Sequence, residues 1–348
     1  MLMRIARWTI MLLGLVGGAR AMAGGEMAAF PILAYAPETR GIGGVWLEGF
    51  ARADSLARPQ RLALYLMATQ ERQAELGLKP ELWLAGGRWG LTGEAGYQKW
   101  PATSYGVGPR TPSAAAADFT AERVKLELRL RRRLASGFHA GPCLLQVRES
   151  ITTHEPGYAF AHEEGSDTGL GLELGLDRRE HAVAPRSGCY HQLRALRHGT
   201  YSRWLADLRG YRALGPGVLA GQAALEGRGG EPGYRALPRL GDFLRADETL
   251  RHVDRWLAAA RLEWRQPSFI TLPGRAGGWL SRRSAFVLFA EAGTVAAAPG
   301  ALVRHGLLPS LGLGGRFALL PEARLNARAD LAFGREGAAL RIKVGEEF

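Results

Sequence analysis

The chain has 348 residues, is 47% hydrophobic, contains 47 glycines and two cysteines, and carries a formal charge of +12. No stretch reaches the 18 or more consecutive apolar residues of a membrane-spanning helix, which excludes a helical membrane protein. No Cys/His cluster has metal-ligand spacing, and no Pro/Ser-rich linker or composition shift divides the chain, so one architecture over residues 24–348 is expected.

The first element is not part of that architecture. Arg4 and Arg7 precede the apolar run 8–16, which is followed by small residues ending in Ala21, Met22 and Ala23. A basic start, an apolar middle and an A-x-A site make the three parts of a secretory signal peptide. The run is also shorter than the roughly 20 residues a spanning helix needs. Residues 1–23 are therefore read as a cleaved signal peptide. Its removal takes away Arg4, Arg7 and Arg20 and leaves the chain basic. A basic balance can mark nucleic-acid binding, but an exported chain rarely meets nucleic acid. Anionic headgroups, or carboxylates facing arginines within the protein, are the expected partners of the charge; arginine enrichment in a GC-rich genome would give the same composition.

From there period-two alternation dominates. Sixteen strands are expected: 30–36, 41–53, 59–70, 73–85, 87–99, 119–134, 137–149, 168–177, 188–198, 200–212, 217–228, 254–266, 283–295, 306–319, 322–334 and 337–348. In the sixth, Val124, Leu126, Leu128 and Leu130 oppose Arg123, Lys125, Glu127, Arg129 and Arg131. In the tenth, Trp204, Ala206 and Leu208 oppose Arg203, Asp207 and Arg209. In the twelfth, Trp256, Ala258, Ala260, Leu262 and Trp264 oppose Arg261, Glu263 and Arg265. The last alternates Leu340, Ile342, Val344 and Phe348 against Arg341, Lys343 and Glu347, so Phe348 is read as a terminal barrel signal. A soluble antiparallel sheet with one wet face would also alternate. The length of the segments, charges in the middle of the polar faces and tryptophans near the ends of the apolar faces favour a membrane barrel. Strands in lipid must close, because every backbone group needs a partner there. The fold class is therefore all-β, a transmembrane antiparallel β-barrel of about 16 strands in a bacterial outer membrane. The long connections 100–118, 150–167, 229–253 and 296–305 fall on one side, taken as extracellular. The tight ones at 135–136, 214–216 and 320–321 fall on the other, although 178–187 and 267–282 are long for periplasmic turns. Cys143 and Cys189 enter an oxidising compartment, but a whole strand separates theirs, which exceeds bridging distance. Two unpaired thiols are expected.

Several of these segments together resemble the BamA/TamA family of outer-membrane barrels (the bacterial surface antigen family), in a short form without periplasmic repeat domains. FPILAYAPETRGIGG at 30–44 looks like the family's first hairpin. LGLDRREHAVAPRSGCY at 174–190 is similar to its D-x-R…P-x-x-G turn, matched by Asp177, Arg178, Pro185 and Gly188. LGDFLRADE at 240–248 stands where the long extracellular loop motif belongs, and ARLEWR and FAEAG resemble the strand motifs that follow. The resemblance covers nearly the whole mature chain. It implies that the loop folds into the lumen and that Arg245 is its arginine, with Glu263 and Glu291 as acidic partners on adjacent strands. The same alternation puts both glutamates on lumenal faces, where a buried carboxylate needs a paired cation and an arginine can bind it bidentately. Ala246 and Asp247 replace the family's usual glycine and aromatic residue, and Glu291 its usual aspartate. Asp247 is expected to compete for Arg245.

Three functions follow. The resemblance implies a barrel concerned with outer-membrane biogenesis or with inserting or translocating polypeptide. Residues 24–30 are too few for periplasmic substrate-binding domains, so a periplasmic partner is expected to supply them. Outer-membrane lipid and lipopolysaccharide are the other expected partners, with the barrel assembly machinery during insertion. The second reading is a small-solute pore whose basic lumen favours anions. The third is a barrel enzyme. His154 and His162 share a loop with Glu155, Glu163, Glu164 and Asp167, but such a cluster is more often a solvated loop. No segment has a catalytic signature, so no catalytic residue, cofactor or metal is assigned.

Overall fold

The computed structural model describes residues 10–12, 20–22, 25–36, 40–51, 60–268 and 272–348. Sixteen long strands follow one another: β1 (Gly25–Ala36), β2 (Arg40–Ala51), β3 (Gln60–Thr69), β4 (Ala74–Leu84), β5 (Trp89–Ser104), β6 (Ala117–Arg133), β7 (Phe138–His154) and β8 (Gly165–Asp177). After these come β9 (Gly188–Arg197), β10 (Tyr201–Leu214), β11 (Gly217–Gly230), β12 (Trp256–Pro267), β13 (Ser284–Ala296), β14 (Leu308–Leu320), β15 (Leu325–Gly334) and β16 (Gly337–Val344). One helix, α1 (Gly274–Arg283), lies between β12 and β13. The signal-peptide reading of residues 1–23 falls outside the described residues, apart from Ile10–Leu12 and Arg20–Met22, whose backbones pair with β1.

Each strand pairs antiparallel with the next, from β1 through β16. Among the described residues no register joins β16 to β1. The sheet nevertheless curls round on itself. Ala28 and Phe30 of β1 and Phe50 of β2 share one apolar cluster with Leu319 and Leu320 of β14 and with Leu325 and Ala327 of β15. This is the all-β, antiparallel barrel architecture that the alternation predicts.

The alternation sorts side chains by face as the strand pleat requires. Leu170, Leu172 and Leu174 of β8 stand outward, each more than half exposed, while Glu173 between them is buried. Leu262, Leu288, Leu311 and Leu313 continue the outward belt on β12 to β14. An apolar outer belt over a charged interior is the reverse of a soluble protein and is what lipid outside and water inside demand. Trp204 and Trp256 stack at a centroid distance of 5.9 Å on this outer surface. A Cβ on Gly227 or Gly229 would collide with their rings, so these glycines leave room for the aromatic layer. Cys143 is buried and Cys189 half-buried, and both are free thiols on strands separated by β8.

Several boundaries differ from expectation, and β7 runs on to His154 rather than ending at 149. β1 begins at Gly25 rather than residue 30, and β5 runs on to Ser104. The last strand was expected over 337–348 but ends at Val344. Gly345 takes φ +90°, a conformation open to glycine and costly for other residues, and the chain turns off the sheet there. The connection 267–282 was read as a long turn and contains α1.

The outward belt gives a depth-dependent prediction. Replacing Leu172, in mid-strand, with arginine should cost about 2–4 kcal/mol of folding stability in phospholipid vesicles, against about 0–1 for Leu134→Arg in the turn before β7. Urea titration of the two variants checks this, and equal costs would remove the belt.

Candidate functional site: a lumenal ion-pair network

The connection 231–255 leaves β11 and enters the lumen. It is compact, with short 3-10 turns at Tyr234–Ala236 and Leu240–Asp242 and a backbone bond from Leu240 to the His252 carbonyl at 2.9 Å. Leu240 and Leu244 pack with Leu257, Ala259 and Val295 on the walls formed by β12 and β13. Gly293 lets the loop come this close, since a Cβ there would meet Leu240 Cδ1 at 2.6 Å. Ala246 joins Val287, Phe289 and Ala332, against Gly334, whose missing Cβ would stand 2.7 Å from that of Ala246.

These two apolar contacts fix the residue between them. Arg245 is 1% exposed. Its guanidinium pairs with Glu263 of β12 and faces Glu291 of β13 at 3.1 Å and Asp330 of β15 at 3.4 Å. Its backbone N–H donates to Glu291 at 2.7 Å, and its charge lies over the Phe289 ring at 3.9 Å. Burial works against the charge, but Glu263, Glu291, Asp330 and Glu347 together raise the Arg245 pKa above its ordinary value. Arg341 of β16 grips the loop from the far side, donating to the carbonyls of Leu244, Arg245 and Asp247 at 3.2, 2.8 and 2.6 Å. The loop is therefore tied to β12, β13, β15 and β16 by its own Arg245 and by Arg341 of the wall, and Arg261 of β12 also donates to the Asp242 carbonyl at 2.9 Å.

Rather than competing for Arg245, the Asp247 carboxyl bonds His252 at 2.9 Å within the loop. Burial pushes the Asp247 pKa up, and the histidine opposes that rise. Nothing in the alternation of β15 or β16 singles out Asp330 and Arg341 from their lumenal neighbours, which is why both were missed.

The C-terminal tail completes the network. Past Gly345, Glu346 reaches Arg316 at 3.0 Å and Asn326 at 2.7 Å. Glu347 pairs with Arg328 and with Arg261 at 3.2 Å. Phe348, expected on the lipid face at the end of a strand, is buried in the lumen beside Tyr211 and Ala220, and its carbonyl accepts from Arg265 at 3.1 Å. The reason is electrostatic. Arg261, Arg265, Arg316 and Arg328 line this part of the lumen, all less than a tenth exposed, and two adjacent carboxylates offset them better inside than in solvent.

At the two ends of the barrel other connections converge. At the long-loop end, Phe119 stacks on Tyr158 and Phe160 on Tyr234. Glu163 accepts from the Tyr234 backbone, so this acid of the His154–Asp167 region ties two loops together. His154 bonds the Glu155 carbonyl at 3.0 Å. At the short-turn end, the connection 178–187 reaches across to the turn after β14. Glu180 pairs with Arg324 at 2.5 Å, and Val183 packs on the cluster that holds Phe30 and Leu325. The turn residues named from the sequence lie here. Asp177 holds Arg179, at 2.8 Å, and Arg178 donates to the Ser136 carbonyl at 3.0 Å. The nearer arginine points along the rim, while the next one returns over the strand end to the carboxylate. Pro185 is buried, and Gly188 has φ +98°, where a Cβ would stand 2.1 Å from the Arg178 oxygen.

No protein-family profile matches the sequence, and no curated protein does. The fold has solved counterparts. BamA from Haemophilus ducreyi lacking POTRA domains 1-3 superposes with a TM-score of 0.56 at 10% identity, over 97% of this chain and 74% of that one. CdiB from Acinetobacter baumannii gives 0.54 at 10% identity, over 97% of this chain and 66% of that one. This chain is thus a barrel of the same fold as theirs, and covers somewhat under two thirds of CdiB.

Removing Arg245 would leave Glu263, Glu291 and Asp330 buried with fewer cations. Arg245→Ala should destabilise the barrel by about 3–5 kcal/mol, the usual cost of breaking a buried ion pair from one side. Truncation after Gly345 should destabilise it as well, by removing Glu346 and Glu347 from the lumenal arginines. Unfolding in lipid reports both, and an unchanged midpoint for Arg245→Ala would mean that the network contributes no stability.

Proposed function

We propose that this protein is an outer-membrane β-barrel of BamA/TamA type, exported by a cleaved signal peptide, whose lumen is shut at rest by loop 231–255. Its role is in moving or inserting polypeptide, with a periplasmic partner presenting the cargo. The observation that carries this reading is Arg245, which joins the loop to Glu263, Glu291 and Asp330. A buried guanidinium shared by three wall strands is a lock that can be undone only as a unit. The likeness in fold to BamA and CdiB supports the class of barrel. The C-terminal tail in the lumen and the 178–187 connection over the short-turn end support a closed resting state.

A second reading has its own observation. On the opposite side of the loop lies a cavity of about 200 Å³ lined by Arg123, Lys125, Arg203, Arg228, Arg235 and Arg239, with Asp167, Glu226 and Asp242 as the acids. An excess of guanidinium on a lumenal path favours anions, as a small-solute pore requires.

Single-channel recording of the refolded barrel separates the two. A lock predicts a quiet wild type and an Arg245→Ala variant that opens to steady conductance. A pore predicts equal and steady conductance in both, with anion preference reduced by Arg239→Glu. Equal conductance would end the lock reading.

A further inference from the structure

Helix α1 does not fit the barrel that carries it. It has ten residues, three of them glycines, and none is buried. A helix this short with this much glycine is not stable in water by its own propensity. Its anchors to the barrel are few. Trp279 packs on Phe317 at 5.5 Å, Arg283 donates to the Ala318 carbonyl at 3.3 Å, and the Ser284 hydroxyl donates to the Leu280 carbonyl at 2.8 Å. Phe317 follows Leu311, Leu313 and Gly315 on the outward face of β14, so the helix lies against the outside of the barrel. It sits at the short-turn end, directly beyond the apolar belt.

Its faces are sorted. Ala276, Trp279 and Leu280 fall on one side, with Leu272 just ahead of them, and all four are exposed. Arg275 and Arg282, seven residues apart, share the adjoining flank and are exposed too. The whole connection 268–283 contains Arg275, Arg282 and Arg283 and no acidic residue. An exposed tryptophan and leucines beside arginines, with no acid to offset them, are what a helix lying in a membrane interface presents. The arginines can bury their stems against the apolar layer and keep their charges among headgroups.

We propose that α1 is an interfacial foot: it lies in the leaflet at the short-turn end, with Leu272, Ala276, Trp279 and Leu280 in the acyl boundary and Arg275 and Arg282 on anionic phospholipid headgroups. This rests on the outer-membrane reading and adds to it a lipid preference on one sector of the barrel, beside β13 and β14. The apolar face continues the outward belt of Phe286, Leu288, Leu311 and Leu313, and the positive charge complements an anionic leaflet. The foot also gives the marginal helix the second surface its own sequence does not provide.

The experiment uses the full barrel with Cys143→Ser and Cys189→Ser, carrying one nitroxide label at either Ala276→Cys or Leu288→Cys. It is reconstituted in phosphatidylcholine vesicles with or without phosphatidylglycerol. Collision with oxygen reports lipid, and collision with a nickel chelate reports water. The expected result is that the 288 label is in lipid in both vesicles, while the 276 label moves into lipid when phosphatidylglycerol is present. Arg275→Glu with Arg282→Glu should weaken that transfer by about fivefold or more per site and leave the 288 label unmoved. A 276 label that stays in water while the 288 label is in lipid would overturn the foot and leave the barrel standing. A 288 label in water would overturn the barrel in lipid and the foot with it.

Discussion

A guanidinium taken out of water has to be met by carboxylates, and Arg245 sets the arrangement of the lumen for that reason. Four acids face it, from β12, β13, β15 and the C-terminal tail. Each of those acids in turn meets a wall arginine: Glu263 has Arg265, Asp330 has Arg316, and Glu291 and Glu347 share Arg261. The result is a single charge-balanced network rather than a set of separate pairs. Removing any member leaves several others short of a partner, so the loop, the tail and the four strands from β12 to β15 depend on one another.

Shape makes this possible. Arg245 lies between two apolar contacts, Leu244 against Gly293 and Ala246 against Gly334. With side chains on the wall at those two points the loop backbone would stand further off, and the guanidinium would fall short of Glu263. Arg341 then holds the loop by its carbonyls, a contact that requires only backbone and is therefore indifferent to the residues at 246 and 247. That explains how alanine and aspartate are accommodated where the resembled family has glycine and an aromatic residue: the alanine methyl fills a gap, and Asp247 is satisfied by His252.

The strands were legible because a barrel wall between lipid and water forces alternation on every segment, and Val124–Arg131 or Trp256–Arg265 show it without interruption. The nearness of Arg245 to Glu263 and Glu291 was reachable only through motif order, since nothing local in LGDFLRADE distinguishes a loop that enters the lumen from one in solvent. The tail was misread because Leu340, Ile342 and Val344 alternate well and Phe348 keeps the same parity. The warning lay in Gly345 followed by two neighbouring glutamates, which no single strand face can serve. At the turn after β8, Asp177 is held by Arg179, while Arg178 donates to the Ser136 carbonyl.

Buried ion pairs are weak evidence of net stability, because desolvation offsets most of the attraction. The property at stake is coupling: Arg245 and Glu263 act on each other and not merely on the barrel. A double-mutant cycle with Arg245→Met and Glu263→Gln, read by urea unfolding in phospholipid vesicles, measures that term directly. An interaction of about 1–3 kcal/mol is expected, as for residues sharing one ion-pair network. Additive single effects would contradict it and would reduce the loop to a lodger in the lumen.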